Sequence, residues 1–149
     1  MSPEPASGGP VIAATEIVAG EAAGPALVLD EPLSMWGGLD PESGVIIDQH
    51  HPQHGLCVSG VVLFMPFGRG SSSASSVLAE AVRLGTSPAA FVLHERDEII
   101  ALGALVAEEV YGLVTPVMVA DPTDLADIQT GRQVQVGNGS IRLGGILDR

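Results

Sequence analysis

Short apolar runs, separated by glycine, proline and charged residues, dominate the pattern of this chain. Runs of this length bounded by turn residues are typical of β-strands. Dense Gly, Pro and Asp punctuation over 31–44 and over 48–55 predicts two loops. The predicted strands are 11–18, 26–29, 45–47, 58–65, 89–93 and 117–119, followed by a hairpin of 132–136 and 140–143 around Gly137-Asn138-Gly139.

Helical patterns lie in the middle of the chain. The segment 77–85 predicts a helix that ends at Gly85, which suits the left-handed position after a helix. The segment 98–110 fits a buried helix as well as a strand, and 124–128 fits a short helix or a turn. Strands at both ends with a central β-α-β-α section indicate an α/β or α+β domain.

Length and composition indicate one compact domain. The chain has 149 residues, 46% of them hydrophobic, and no apolar run approaches the roughly 20 residues of a membrane helix. We expect a flexible tail at 1–10, a domain at 11–145 and a short tail at 146–149. The first ten residues lack the basic start and apolar segment of a signal peptide, so we expect a cytoplasmic protein without membrane contact.

Charge and cysteine content narrow the function classes. Eighteen acidic residues against six arginines give a net charge of −12, and only 3% of residues are aromatic. Such a surface repels phosphate backbones and offers little for base stacking, so we expect no nucleic-acid partner. With Cys57 as the one cysteine, the chain alone cannot form a disulfide or a cysteine-ligated zinc or iron–sulfur centre. Such a cofactor would have to belong to a partner.

The stretch from Gly68 to Ser76, here called the serine turn, is the strongest candidate site. It joins an apolar run to the first helical pattern, so the free N–H groups and dipole of a helix start would favour an anion beside Arg69. Ser71 could act as a base if its alkoxide is stabilised electrostatically and another group acidifies the substrate proton. The alternative is a tight turn in which Ser72 or Ser73 is simply the N-cap. The third glycine of a dinucleotide fingerprint and the lysine of a phosphate loop are both missing.

Two loops carry further candidates. The cluster His50-His51-Pro52-Gln53-His54 favours solvated loop histidines over a metal site, although one of them could reach the active site. Trp36 fits a partner-facing anchor and a core residue equally well. Arg96 lies in a charged turn whose default interpretation is solvation, with a contribution of charge to the site as the alternative.

An ordered series of motifs resembles the small subunit of aconitase X. This family includes the archaeal phosphomevalonate dehydratase and the bacterial cis-3-hydroxy-L-proline dehydratase. The resemblance spans about 14–143. The motifs are Gly37-Gly38-Leu39-Asp40-Pro41, Gly44-Val45-Ile46-Ile47-Asp48, His51-Pro52 with Gly55, Gly60-Val61-Val62-Leu63, Gly68-Arg69-Gly70-Ser71 with Ser75, Pro88-Ala89-Ala90, Gly103-Ala104-Leu105-Val106-Ala107 and Pro116-Val117.

The resemblance implies a β/β/α fold like the swivelling domain of aconitase, with a central or barrel-like sheet and two to three helices. It implies a large-subunit partner that holds an iron–sulfur cluster, in a heterodimer or higher assembly, and no metal on this chain. Ser71 matches the family's proton-abstracting serine. The expected substrate-binding residues are Arg69, Gly70, Ser72 and Ser73, and the possible site-loop residues are Gly38, Asp40 and His51.

The resemblance also implies a reaction. The chain would be one subunit of a hydro-lyase, active only with its large subunit, that dehydrates a small hydroxy acid. Arg69 and the run of serines look closer to the hydroxyproline-type members, so cis-3-hydroxy-L-proline, converted to 1-pyrroline-2-carboxylate, is the preferred substrate. Mevalonate 5-phosphate is the alternative. A different class of function, a non-catalytic anion-binding or regulatory module, is also compatible with the serine turn.

Overall fold

The computed structural model describes residues 9–68 and 72–146. Ten strands and four helices occupy this part of the chain. Their bounds are β1 Val11–Ala13, β2 Thr15–Val18, β3 Ala22–Val28, α1 Met35–Gly38, β4 Leu39–Asp40, β5 Val45–Ile46, β6 Val62–Met65, α2 Ser73–Leu84, β7 Ala90–Leu93, α3 Glu98–Tyr111, β8 Val117–Val119, α4 Pro122–Leu125, β9 Arg132–Gly137 and β10 Ser140–Ile146.

Eight of the strands form one sheet that closes on itself. Its order is β1-β10-β9-β3-β6-β7-β8-β2, and β4 pairs separately with β5. The strands at the two ends of this order, β1 and β2, are separated in sequence by Ala14 alone, so the two edges of the sheet must meet there. The α/β fold with a barrel-like sheet is therefore confirmed. The single strand predicted over 11–18 is wrong, because the segment changes partner at Ala14, whose N–H donates to Gly139 O at 2.9 Å.

The four strands β3, β6, β7 and β8 pair in parallel. Both faces of their centre are buried. Leu63 and Met65 of β6 belong to the core under the helices, whereas Val62 and Phe64 belong to a second core inside the curled sheet. Burial on both faces explains why β6 and β7 read as continuous apolar runs rather than alternating ones.

Helices α2 and α3 pack against each other on the outer face of the sheet. The predicted end of α2 is confirmed, since Gly85 follows the helix with φ +78°. The helix begins at Ser73, four residues before the periodic pattern does. The ambiguous segment 98–110 is helical, and Asp97 is the N-cap of α3.

Several strands begin or end at other residues than predicted, because hydrogen-bonded pairing does not start and stop where the apolar runs do. Strand β3 begins at Ala22 rather than 26, and β6 at Val62 rather than 58. Two single-turn helices, α1 and α4, raise the described helices to four where two to three were expected. Strand β10 reaches Ile146, the first residue of the predicted C-terminal tail. Within the described ranges, no helix is long and apolar enough to cross a membrane.

Candidate active site

The candidate site lies at one edge of the sheet. Because β3, β6, β7 and β8 are parallel, the segments that follow them emerge at the same edge, the usual position of ligand sites in parallel sheets. The loops after β6 and β7 are joined there, since the N–H of His94 donates to Pro66 O at 2.9 Å. The serine turn follows β6 and leads into α2. The chain topology thus supplies a helix start at a sheet edge.

Three of the candidate residues, Arg69, Gly70 and Ser71, lie outside the described residues. Their neighbours are described. Ser72 is the N-cap of α2, and Ser73 is the first helical residue; both are exposed. The side chain of Ser72 makes no capping hydrogen bond, so capping by its hydroxyl does not account for the serine at that position.

The start of α2 has an electropositive character. The 12-residue helix has no acidic residue in its first turn, so no carboxylate of that turn neutralises the positive end of its dipole. The Ser75 hydroxyl donates to Ser72 O at 2.7 Å, and the Ser75 N–H donates to the same oxygen at 3.2 Å. These bonds fix the first turn of the helix immediately after the segment that carries Ser71.

Gly68 is held on two sides. A parallel bridge pairs it with Leu33, and its N–H donates to Asp97 Oδ2 at 2.8 Å. Leu33, Gly68 and Asp97, with Met35, Ala74, Ile99 and Ile100, line a small cavity of about 20 Å³. The point at which the chain enters the serine turn is therefore set by contacts from two other segments. Sequence reasoning missed Asp97; its position before an apolar helical run indicates an N-cap, but nothing local indicates the bond to Gly68.

The segment 50–54, which carries three histidines, holds one of them in a buried and hydrogen-bonded position. His51 is only 5% exposed, and both of its ring nitrogens are used. Its Nε2 lies 3.0 Å from Glu31 O, and its Nδ1 accepts from the Gln53 N–H at 3.0 Å. The expectation of solvated histidines fails for His51 because these bonds pin it inside the loop. It holds for His50 and His54, which are exposed.

The other two residues of the possible site loop lie at different places. Gly38 packs on Leu33, because an added Cβ would lie 3.0 Å from Leu33 Cδ1, and Leu33 is the bridge partner of Gly68. Asp40 accepts at Oδ2 from the Ser43 hydroxyl at 2.7 Å. The next residue, Pro41, accepts from Thr86 Oγ1 at 2.6 Å, just beyond the C-terminus of α2. A helix of 12 residues is about 18 Å long, so Asp40 lies near the end of α2 remote from Ser73. These contacts indicate a structural role for Asp40, in holding its loop beside the C-terminus of α2.

Exposed apolar side chains flank the serine turn. Trp36 is 61% exposed and Phe67 is 39% exposed, whereas Met35 beside Trp36 is buried. The core interpretation of Trp36 is wrong, since its backbone turns away at a kink in α1. The interface interpretation of Trp36 stays a prediction.

The ion pairs of the described residues are exposed and lie on α2 and at the start of α3. Arg96, in the loop after β7, pairs with Glu98 at 3.1 Å. Arg83 pairs with Glu80 at 2.7 Å near the far end of α2. The hydrogen bond from Arg83 holds the pKa of Glu80 below its ordinary value. Exposed pairs of this kind contribute little to stability.

A comparison with protein families identifies the domain. The sequence model described as the aconitase X swivel domain matches residues 11–143. The chain belongs to the aconitase X swivel-domain family. Solved structures agree: a crystal structure of Thermococcus kodakaraensis aconitase X in its holo-form has a TM-score of 0.80 at 31% identity, over 91% of this chain and 98% of that chain.

Curated relatives of this aconitase X domain carry two names. A cis-3-hydroxy-L-proline dehydratase of Pseudomonas aeruginosa is 50% identical over 101 residues, which cover 68% of this chain and 17% of that protein. One of Hypocrea jecorina is 40% identical over 85% of this chain and 21% of that protein. A phosphomevalonate dehydratase small subunit of Methanothermobacter thermautotrophicus is 46% identical over 59% of this chain and 67% of that protein. The chain thus spans about a fifth of the length of the first two relatives.

The cysteine content of this domain does not suit an iron–sulfur cluster. Its single cysteine, Cys57, is exposed, and its thiol lies 3.3 Å from Ser59 Oγ and 3.6 Å from Ser43 O. Clusters are held by several thiolates. Among the described residues, no group of three or more His, Cys, Asp and Glu side chains is arranged to hold a metal ion.

Proposed function

We propose that this chain is the small, swivelling subunit of a dehydratase of the aconitase X type, active only with a large subunit. The observation that carries the proposal is the match of residues 11–143 to the swivel-domain family, with relatives named dehydratases. The site geometry supports it, because the family's serine position falls between two described segments that meet at the carboxyl edge of the parallel strands.

In this proposal Ser71 is the base. Its alkoxide takes the proton alpha to the substrate carboxylate, and the electron pair of that C–H bond forms the double bond as the hydroxyl leaves the adjacent carbon. Arg69 and the positive end of the α2 dipole hold the substrate anion or stabilise the alkoxide. Gly70, Ser72 and Ser73 complete the substrate-binding turn.

The large subunit holds the iron–sulfur cluster in this proposal. The cysteine content supports that division, since one exposed thiol cannot supply the ligands of a cluster. The relatives named cis-3-hydroxy-L-proline dehydratase extend far beyond the matched fifth of their length. The relatives named small subunits support a separate large chain as the partner.

The preferred substrate is cis-3-hydroxy-L-proline. Elimination gives a double bond between C2 and C3, and this enamine becomes 1-pyrroline-2-carboxylate when the nitrogen loses its proton and C3 gains one. The relative with 50% identity bears that name. Mevalonate 5-phosphate is the second candidate, and a specific observation favours it: the small subunits named phosphomevalonate dehydratase are matched over 67% to 87% of their own length. Arginine binds phosphate and carboxylate alike, so Arg69 does not separate the two substrates.

The test uses the assembled pair of large and small subunits with both substrates. The Ser71→Ala variant should lower turnover by about 10²–10⁴-fold, the contribution expected of a base at the reacting atom. Ser76→Ala is the matched control: it removes an exposed hydroxyl from the same serine run and should leave turnover within about twofold of the unmodified pair.

Three outcomes would change the proposal. Turnover retained in Ser71→Ala removes the base role. Turnover of mevalonate 5-phosphate without turnover of the hydroxyproline establishes the second substrate. An assembled pair that dehydrates neither substrate, while the small chain still binds an anionic ligand, favours the non-catalytic module.

A further inference from the structure

One carboxylate joins two segments at the candidate site. Asp97 Oδ1 accepts from the N–H groups of Ile99 at 2.9 Å and Ile100 at 3.0 Å, which caps α3. Its other oxygen, Oδ2, accepts from the Gly68 N–H at 2.8 Å. The side chain that starts α3 therefore also holds the residue at which the chain leaves β6 for the serine turn.

The fit at this junction is tight. A Cβ added to Gly68 would lie 2.7 Å from Asp97 Oδ2 and 2.9 Å from Ile100 Cδ1. At distances below about 3 Å a methyl group on residue 68 would have to displace the Asp97 carboxylate or the end of the Ile100 side chain. On its other side, Gly68 is bridged to Leu33. Moving Gly68 would require breaking the bond to Asp97 or the bridge to Leu33.

We propose that Asp97 is a positioning residue for the serine turn. The carboxylate cannot follow a displaced Gly68 without giving up the cap of α3, because both of its oxygens accept at once. It thereby fixes Gly68, at the entrance to the turn, against a long helix of the fold. This inference rests on the proposed function for its catalytic consequence, but its structural part concerns described residues alone.

The Asp97→Asn variant separates anchoring from capping. Asparagine caps helices as well as aspartate does, so α3 keeps its cap through the one remaining side-chain oxygen. The amide NH₂ then faces the Gly68 N–H, and two donors cannot bond. Asp121→Asn is the matched control, since Asp121 caps α4 through the Thr123 N–H at 2.8 Å and has no described contact with the serine turn.

The first readout is amide hydrogen exchange of the full chain by NMR. Exchange of the Gly68 amide should accelerate about 10- to 100-fold in Asp97→Asn, as expected when a hydrogen bond to a charged group is lost. It should be unchanged in Asp121→Asn. An unchanged Gly68 amide in Asp97→Asn overturns the inference, whatever the chain's activity.

The second readout is the kinetics of the assembled pair. Asp97→Asn should lower kcat about 100-fold, the loss that a displacement of about 1 Å can produce. KM should rise by a smaller factor than kcat falls, although the turn also carries the substrate-binding residues. Asp121→Asn should keep kcat within about twofold of the unmodified pair. A normal kcat in Asp97→Asn, or a raised KM with normal kcat, overturns the positioning role.

If Asp97→Asn does not fold, a second variant tests the positioning role. Gly68→Ala retains the Asp97 side chain and forces residue 68 and the carboxylate apart, so it should show the same loss of kcat; a normal kcat overturns the role. The two proposals fail differently. Retained turnover in Ser71→Ala removes the base role, whereas the Gly68 exchange result is independent of it.

Discussion

Two glycines with the same backbone conformation test how the loop between β4 and β5 is anchored. Gly44 and Gly85 have φ of +76° and +78°. A Cβ on Gly85 would meet nothing within 4 Å, whereas one on Gly44 would lie 2.7 Å from Thr86 O and against the Ser59 hydroxyl. Replacement by alanine therefore imposes the same backbone strain at both positions, and a steric clash only at Gly44.

The two costs can be separated. An alanine in the left-handed region costs about 1–2 kcal/mol, partly offset by about 0.4–1 kcal/mol from the restricted unfolded chain. Gly85→Ala should therefore lower the free energy of unfolding by about 1 kcal/mol. Gly44→Ala adds overpacking against a backbone oxygen that cannot rotate away, which costs a further 1–3 kcal/mol or so.

Circular dichroism monitors the thermal unfolding of the two variants and gives the difference in Tm. Urea titration at one temperature gives the difference in the free energy of unfolding. In a domain of this size 1 kcal/mol corresponds to about 2–4 °C in Tm. Gly44→Ala should therefore melt about 2–12 °C below Gly85→Ala. Equal losses, to within about 0.5 kcal/mol, would refute the tight approach of this loop to Thr86 and with it the structural part assigned to Asp40.

Two further predictions concern the loops around the site. Trp36→Ser should leave the free energy of unfolding within about 0.5 kcal/mol, because the side chain is exposed, and should weaken binding of the large subunit at least about tenfold in calorimetric titration; a destabilised chain with unchanged affinity would contradict the interface interpretation. His51→Ala should lower the free energy of unfolding by about 1–3 kcal/mol, since it removes a buried side chain and its hydrogen bonds to the Glu31 carbonyl and the Gln53 N–H, whereas His50→Ala should change it by less than about 0.5 kcal/mol. Equal effects in urea unfolding would show that the buried histidine is not what holds the loop.

Local signals predicted the central part of the fold. Apolar runs located β6, β7 and β8, and a glycine suited to positive φ located the end of α2 at Gly85. Local sequence signals could not predict that the sheet closes on itself. The segment 11–18 has unbroken strand character, and only its pairing with β10 before Ala14 and with β8 after it shows that it is two strands. Such pairings join residues 99 to 131 positions apart, which local pattern does not encode.

In the candidate site too, local sequence predicts some features, while others depend on residues far apart in the chain. The serine turn and the start of a helix after it could be predicted because strand, glycine and helix follow one another along the chain. The role of Asp97 could not, because its second oxygen bonds a residue 29 positions earlier. His51 was misjudged for the same reason, since its ring nitrogen finds a backbone oxygen 20 positions away. In both cases the polar partner is supplied by topology.

Exposed apolar side chains offer one place at which a large subunit could contact this domain. Beside the serine turn, Trp36 is 61% exposed and Phe67 is 39% exposed. A partner that covers this turn would bury both side chains and exclude water from Ser71 in the same step. Where the two parts share one chain, the linker supplies the effective concentration; a separate small subunit must obtain its affinity from contacts such as these.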